Sequence, residues 1–464
     1  MRENKRAAFL SLGCKVNEYE TERLKESFHN AGYEIVLFSE QADVYVINSC
    51  TVTAEADRKS RQMVRRARKE NPSAVVVCAG CFSESAVKKL GEDQLFFETG
   101  ADIIAGNAAK SDIISLVEKF ETTHERIAYL PDINEKGLSY ERTEIGPSPK
   151  GLITEGGRVR AFLKIQDGCD RFCSYCLIPF ARGRSRSRDL SAVVREAKEF
   201  FESGRREIVL TGINLSSYKG PRGESLFDVA EAIIDEISDL PGGENFRLRL
   251  GSLEPNSICE DTIKRLSKKK ALCPHFHLSL QSGSDSVLQR MNRHYTKEEF
   301  LSSVKVLREY FDDPAITADI ICGFPGETKS EFEETLLFAE EVGFAKIHAF
   351  PFSAREGTKA ALMDGQVKKS ERLYRTGKLI ELQNCLREGY VKRNIGKEAA
   401  VLIEEKEDSG GSSFFSGYTE RYIRALVPAG ATSEKLSAGR IVKGTPKSMQ
   451  GNDCLIIDKD FIIL

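Results

Sequence analysis

Two stretches of this chain alternate short β-branched runs with helical segments, and that alternation restricts the fold more than any other feature. Strands that each lead into a helix return in the same direction, so they build parallel sheet covered by helices. The first series runs from residue 6 to about 120. Its strands are expected at Ala7–Leu12, Asp43–Asn48 and Ala74–Ala79, with a weaker one at Asp102–Ala105. Its helices are expected at Asn17–Ala31, Ala54–Glu70 and Ser83–Leu90. Residues 131–157 hold five glycines and three prolines with little periodicity, and read as a linker. The second series offers six strands: Ala161–Gln166, Glu207–Thr211, Arg247–Gly251, Phe276–Leu280, Ala315–Cys322 and Lys346–Phe350. Amphipathic segments such as Ser191–Ser203 and Lys297–Tyr310 separate them. Six such units fit an open (β/α) barrel better than a doubly wound sheet. After about Val391, short strands broken by Gly and Ser predict a small β-barrel.

Three domains suit a length of 464 residues. No run of about eighteen apolar residues is present and the first residues do not form a signal-peptide core, so neither a membrane span nor secretion is expected. Twelve cysteines without a secretory signal point to a reducing compartment, the cytoplasm by default, where thiols serve metals or redox chemistry. A net charge of −2 gives no bulk field for nucleic acid, so RNA contacts would have to be local.

Cys169, Cys173 and Cys176 form a CxxxCxxC triplet. Structural zinc and most [4Fe–4S] clusters take four protein ligands, so three thiolates leave one metal position open. A zinc knuckle completed from elsewhere is the bland alternative. A second set is built by topology. Cys14, Cys50 and Cys81 each stand one or two residues past the end of an expected parallel strand, and such strand ends share one edge, where ligands bind. Packing at strand ends is the competing account for each. Cys78 lies inside the apolar run Val75–Cys78 and reads as core rather than ligand. Cys259, Cys273, Cys322, Cys385 and Cys454 lack ligand spacing and read as packing residues.

With Ser-Leu-Gly-Cys14-Lys-Val-Asn, Asn-Ser-Cys50-Thr-Val-Thr, Ala-Gly-Cys81 and the 169–176 triplet in hand, the chain resembles the methylthiotransferase family of radical S-adenosylmethionine (AdoMet) enzymes over nearly its whole length. The residues after Cys14 look most like the branch acting on N6-threonylcarbamoyladenosine in tRNA. The branches acting on isopentenyladenosine in tRNA, or on a ribosomal protein, stay as alternatives. So does a non-catalytic iron–sulfur RNA-binding sensor. The resemblance implies an N-terminal flavodoxin-like methylthiotransferase domain (residues 5–120), a linker (121–157), an open (β/α)6 radical AdoMet barrel (158–385) and a C-terminal TRAM barrel (386–464). It implies two [4Fe–4S] clusters, on Cys14, Cys50 and Cys81 and on Cys169, Cys173 and Cys176, with AdoMet, tRNA and a reducing electron donor as partners. Such cofactors suit the reaction, because an adenine C2–H offers side-chain acid–base catalysis little purchase. No side chain is assigned as catalytic.

The resemblance also places AdoMet contacts. Tyr175 would lie against the adenine or lid the cluster. Thr211, Gly212 and Asn214 end the second barrel strand and look like the methionyl-binding stretch. Ser279 and Gln281 resemble the ribose-contacting segment, and Ile321–Glu327 is expected to close the pocket floor, with Glu327 given no role. A tight βα turn is the structural alternative for each. Arg182, Arg184, Arg186 and Arg188 alternate, so in an extended segment all four would face one way, towards phosphates; a solvated loop is the alternative. Tyr418 and Tyr422 resemble the TRAM pattern and suit either base stacking or core packing.

Overall fold

The computed structural model describes residues 5–134, 159–409, 412–429 and 436–464. Its N-terminal sheet runs in the order Glu34–Val36, Arg6–Ser11, Val44–Ser49, Val75–Gly80, Ile103–Ala105, Ile127–Tyr129, every pair parallel. That is the flavodoxin-like order with one strand added at the far edge. Val44–Ser49 and Val75–Gly80 are buried along their whole length, as strands covered on both faces must be. The two edge strands are three residues each, too short to show a period in the sequence. The helix Ile113–Thr123 was likewise not expected. Most of the expected linker lies outside the described residues.

The second series forms six parallel strands in sequence order: Arg160–Lys164, Glu207–Thr211, Arg247–Leu250 (continued by Ser252–Leu253), His275–Gln281, Ala315–Cys322 and Lys346–Pro351. Alternation explains why this is a hollow barrel. Ala161, Leu163, Ile208, Leu210, Leu248, Leu250, Phe276, Leu278 and Leu280 join the core under the outer helices. The intervening residues, among them Arg160, Lys164, Glu207, Arg249, His277 and Asp319, have side chains that must point inward. An interior of charged residues does not pack dry; it lines a site. Capping boxes at Ser225, Thr296 and Thr328 start three of the covering helices.

The N-terminal unit bridges the barrel's open side. Its first helix, Lys15–Asn30, lies on the first barrel strand: Glu20 pairs with Lys164 (2.8 Å), and Arg23 and Tyr19 bond Glu196 on the next helix (2.6 and 3.0 Å). Beyond the last barrel strand, Arg355 donates to Thr51 (2.9 Å) and pairs with Asp57 (2.5 Å).

The 25-residue helix Lys369–Arg393 leads to the C-terminal strands. There Ile441–Gly444 pairs with Ala399–Ser409, and after Thr445 the continuing strand Pro446–Gln450 pairs with Cys454–Ile457. One strand thus changes partner at a bend and closes a five-stranded barrel. A Cβ on Gly444 would come 2.6 Å from Ile457 Cγ2, so the bend needs glycine. Among the described residues no helix is long and apolar enough to cross a membrane.

Candidate active site

The N-terminal cysteines meet at the carboxyl edge of their sheet. Cys14 caps the first helix in extended conformation, Cys50 follows Val44–Ser49, and Cys81 opens the helix Cys81–Leu90. Gly13 has φ +100° and passes so close that a Cβ there would lie 2.5 Å from Cys50 Sγ. Buried Asn17 holds the loops together, its amide donating to Leu12 O (2.7 Å) and Ser49 O (2.9 Å). Burial pushes the Cys50 thiol up to about 11, helped by Cys81 and Cys14 beside it. Burial also raises Cys14, against the pull of Arg182. Cys78, in contrast, sits in the apolar core with Ser83 Oγ 3.3 Å from its sulfur.

Arg182 answers the charge problem at this edge. It is fully buried, and its guanidinium donates to Cys81 Sγ (3.2 Å), Glu20 (2.9 and 3.0 Å), Asp167 (3.1 and 3.2 Å) and Asn17 Oδ1 (2.5 Å). Lys110 and Lys164 complete the group, pairing with Glu20 at 2.5 and 2.8 Å. Burial alone would raise both carboxyls, but these cations outweigh it: Asp167 is held at about 2 and Glu20 well below its usual range. Three buried cations against two carboxylates leave a surplus of positive charge facing Cys81. Such a surplus suits a thiolate donor rather than an inert core thiol.

The second set lies on the loop after the first barrel strand. Gly168, with φ +68°, could carry no side chain, since a Cβ would meet Arg184 O at 1.9 Å. Asn292 donates to the carbonyls of Arg171 and Phe172 (3.3 and 3.0 Å), and Ser174 is bonded to Arg290 and Met291. Arg293 reaches Cys173 Sγ at 3.3 Å while Glu254 grips its other end at 2.9 Å twice. Burial pushes Cys176 up to about 12, with Cys173 and Cys169 adding to it. Each set therefore offers three sulfurs with a buried guanidinium beside one of them, a donor set that fits an iron–sulfur cluster. The short helix Ile178–Arg182 starts two residues after Cys176 and ends against Cys81, so about 10 Å of chain separates the two sets.

The remaining expected residues gather on the same rim. Gln166 ties the turn after Thr211 to the cysteine loop, accepting from Asn214 N (2.8 Å) and donating to Asp167 O and Gly168 O (2.8 Å each). Gly212 leaves no room for a Cβ beside Gln166. Asn214 Nδ2 stands 3.9 Å from Cys169 Sγ. Ser279 is half-buried on the inward face, and Gln281 ends its strand at φ +70°. Tyr175 packs edge-on to Phe324 (centroids 6.3 Å apart) beneath the loop. Glu327 binds Gly323 N (2.5 Å) and Arg375 (2.8 Å), so the 321–327 turn anchors the long C-terminal helix.

Two expectations need correction, and one pair of alternatives is decided. The arginines do not share a face: Arg182 and Arg188 are buried in ion pairs, Arg186 turns back onto the carbonyls of Arg182 and Arg184, and Arg184 alone of the four projects, 65% exposed. The pattern fails because Arg182 belongs to a helix and not to an extended run. Of the two readings open for Tyr418 and Tyr422, packing is the one seen: they stack on each other (4.8 Å) and under Arg160, Arg249 and His275, sealing the barrel floor. There Arg247 and Arg249 bond Glu207 and the carbonyls of Ala400, Tyr418, Thr419 and Glu420. Burial would raise Glu207, but these two arginines hold it at about 2. Finally, Cys259 and Cys385 are exposed, not packed.

Comparison with known proteins agrees with this arrangement. Residues 163–339 match the radical SAM superfamily, and residues 6–100 match the uncharacterised protein family UPF0004. The threonylcarbamoyladenosine tRNA methylthiotransferase MtaB of Bacillus subtilis is 37% identical over 438 residues, 94% of this chain and 92% of the relative. The chain belongs to the methylthiotransferase family of radical AdoMet enzymes. The MtaB of Thermotoga maritima is 36% identical over 89% of each chain. A tRNA-2-methylthio-N(6)-dimethylallyladenosine synthase of Clostridium novyi is 33% identical over 86% of each. The radical S-adenosylmethionine methyltransferase TsrM of Kitasatospora setae shares the fold, with a TM-score of 0.55 at 15% identity over 75% of this chain and 73% of that one. As a methylthiotransferase the protein works with AdoMet and [4Fe–4S] clusters.

Proposed function

We propose that the protein places a methylthio group on C2 of N6-threonylcarbamoyladenosine just 3′ of a tRNA anticodon. The observation that carries it is the pair of three-thiol sets on either side of the helix Ile178–Arg182, both beside one polar barrel. Cys14, Cys50 and Cys81 would hold one [4Fe–4S] cluster, and Cys169, Cys173 and Cys176 the other, which would bind AdoMet. When bound, these groups supply the one-electron chemistry and the sulfur that side chains cannot.

The chain's own residues set the scene for that chemistry. Arg182 and Arg293 give Cys81 and Cys173 a fixed positive neighbour. Gln166 and Asn214 hold the turn after Thr211 against Cys169, where Tyr175, Thr211, Gly212, Ser279 and Gln281 form the rim assigned to AdoMet. Outside it, Arg184 lies over exposed Phe172 (4.8 Å), with Phe180 6.0 Å from that ring. Guanidinium and aromatic faces of this kind suit an unpaired RNA loop.

Four relatives named MtaB are 35–37% identical to the chain, against 30–33% for those named for dimethylallyladenosine, which supports the threonylcarbamoyl branch. Nucleoside mass spectrometry of tRNA from cells lacking the chain tests it. Loss of 2-methylthio-N6-threonylcarbamoyladenosine with accumulation of its unthiolated parent is expected. Loss of the isopentenyl counterpart instead would move the protein to the other tRNA branch.

A further inference from the structure

Midway down the barrel, three inward side chains from adjacent strands converge. The ligand atoms of His277, Asp319 and His348 all lie within 4.8 Å of one another. Parallel register sets them there, with Asp319 opposite His348 and His277 opposite Thr317. His277 Nδ1 is 3.0 Å from Thr317 Oγ1 and its Nε2 is 3.4 Å from Asp319 Oδ2, so Thr317 and Asp319 together orient the ring. Lys15, the residue after Cys14, enters the same space from the N-terminal unit, its charge acting on both Asp319 and His348. Its side chain faces the open lumen, where burial and the nearby Arg160 and Arg249 lower its pKa below the usual lysine value against the opposing pull of Glu18 and Glu207. Its ammonium makes no hydrogen bond or ion pair among the described residues.

Two histidines and a carboxylate can hold a divalent cation. The local charge points the other way: Lys15 and Lys346 act on His348, and Arg249 on the neighbouring His275, while of the carboxylates near Lys15 Glu207 is already held by Arg247 and Arg249 and Asp319 alone belongs to the triad. The pocket thus offers an unpaired ammonium, a carboxylate and two imidazoles beside the Cys14 edge. A ligand suited to it carries an anion to meet Lys15 and a hydroxyl to meet the Asp319–His277 pair.

We propose that Lys15, His277, Asp319 and His348 form the subsite for the threonylcarbamoyl arm of the substrate, with Lys15 receiving its carboxylate. This rests on the substrate reading above. It also gives that reading a source of specificity: an apolar isopentenyl group would leave these polar groups unpaired, and sites built to hydrogen-bond a substrate reject analogues that cannot answer.

Binding and single-turnover methylthiolation of anticodon stem-loops test the subsite, using reconstituted enzyme. One stem-loop carries the threonylcarbamoyl group as the free acid, a second as its methyl ester, and a third carries isopentenyladenosine. The unaltered enzyme should bind the acid about tenfold more tightly than the ester, the usual scale for a charge-assisted hydrogen bond. Lys15→Met should erase that ratio and Lys15→Arg keep most of it, with iron content checking that each variant is loaded. His348→Asn, which spares the Cys14 loop, should weaken acid and ester alike. An acid-to-ester ratio unchanged in Lys15→Met, or no ratio in an unaltered enzyme that does modify the acid, overturns the subsite alone. Turnover of only the isopentenyl stem-loop overturns the substrate reading and the subsite with it. Stoichiometric zinc or iron beyond the clusters, lost in His348→Asn, would make the triad a cation site and overturn the proposal.

Discussion

Replacing Arg182 with Met removes a side chain that joins the N-terminal unit, the barrel and Cys81. Six hydrogen bonds go with it, to Cys81, Asn17, Glu20 twice and Asp167 twice. Removing one partner of a buried ion pair costs about 3–5 kcal/mol. Neither carboxylate is orphaned here, because Glu20 keeps Lys110 (2.5 Å) and Lys164 (2.8 Å), and Asp167 keeps Lys164 (2.6 Å). The low end is therefore expected, about 3 kcal/mol, or roughly a hundredfold in the opening equilibrium of this interface. Native-state hydrogen exchange reads that opening directly. Amides of Lys15–Asn30 and Cys81–Leu90 should exchange about a hundredfold faster, while the barrel helix Leu226–Ser238 stays unchanged. Arg182→Lys, which restores the charge without the fork, should fall between. Wild-type protection in the Met variant would refute the reasoning that this charge group holds the two units together.

Arg184→Gln should weaken tRNA binding and reduce its salt slope by about one, whereas Arg188→Gln should leave that slope alone and loosen the helix Leu190–Glu202; equal effects from both would restore a shared RNA-binding face. Glu207→Gln strands Arg247 and Arg249 at the barrel floor and should lower stability by about 3 kcal/mol or more, read by denaturant unfolding of the C-terminal barrel. Acid should weaken the interface in a defined window. Glu20 and Asp167 titrate below their ordinary values, so the stability they confer is full above about pH 4.5 and falls as the pH drops towards about 2. Exchange rates at Lys15–Asn30 that stay flat from pH 5 to about pH 3, after correction for intrinsic rates, would contradict this.

Sequence pattern reaches elements with strong periods and motifs with fixed spacing. The strands Glu207–Thr211 and Ala315–Cys322 and the helices Ala54–Glu70 and Lys297–Tyr310 form where their periodicity places them. The shared edge of Cys14, Cys50 and Cys81 follows from parallel topology alone. What stayed hidden is what other segments bring to the cysteines. Arg293 reaches Cys173 from one loop and Glu254 holds Arg293 from another, and nothing in their local pattern marks them. Asn17 and Lys15 stood in the motif around Cys14, but their roles depend on neighbours more than thirty residues away in sequence. The arginine run misled because alternation implies one face only in an extended strand, and Arg182 ends a helix. The two readings of the tyrosines could not be separated for a related reason, since the barrel floor they seal is built by another part of the chain.

Two separate cluster sites are the centre of this account, and iron per chain after anaerobic reconstitution measures them directly. The unaltered protein should hold about eight iron atoms. Cys173→Ala and Cys50→Ala should each retain about four. AdoMet cleavage should vanish only in the Cys173 variant. About four iron atoms in the unaltered protein, or loss of all iron from either single variant, would contradict it.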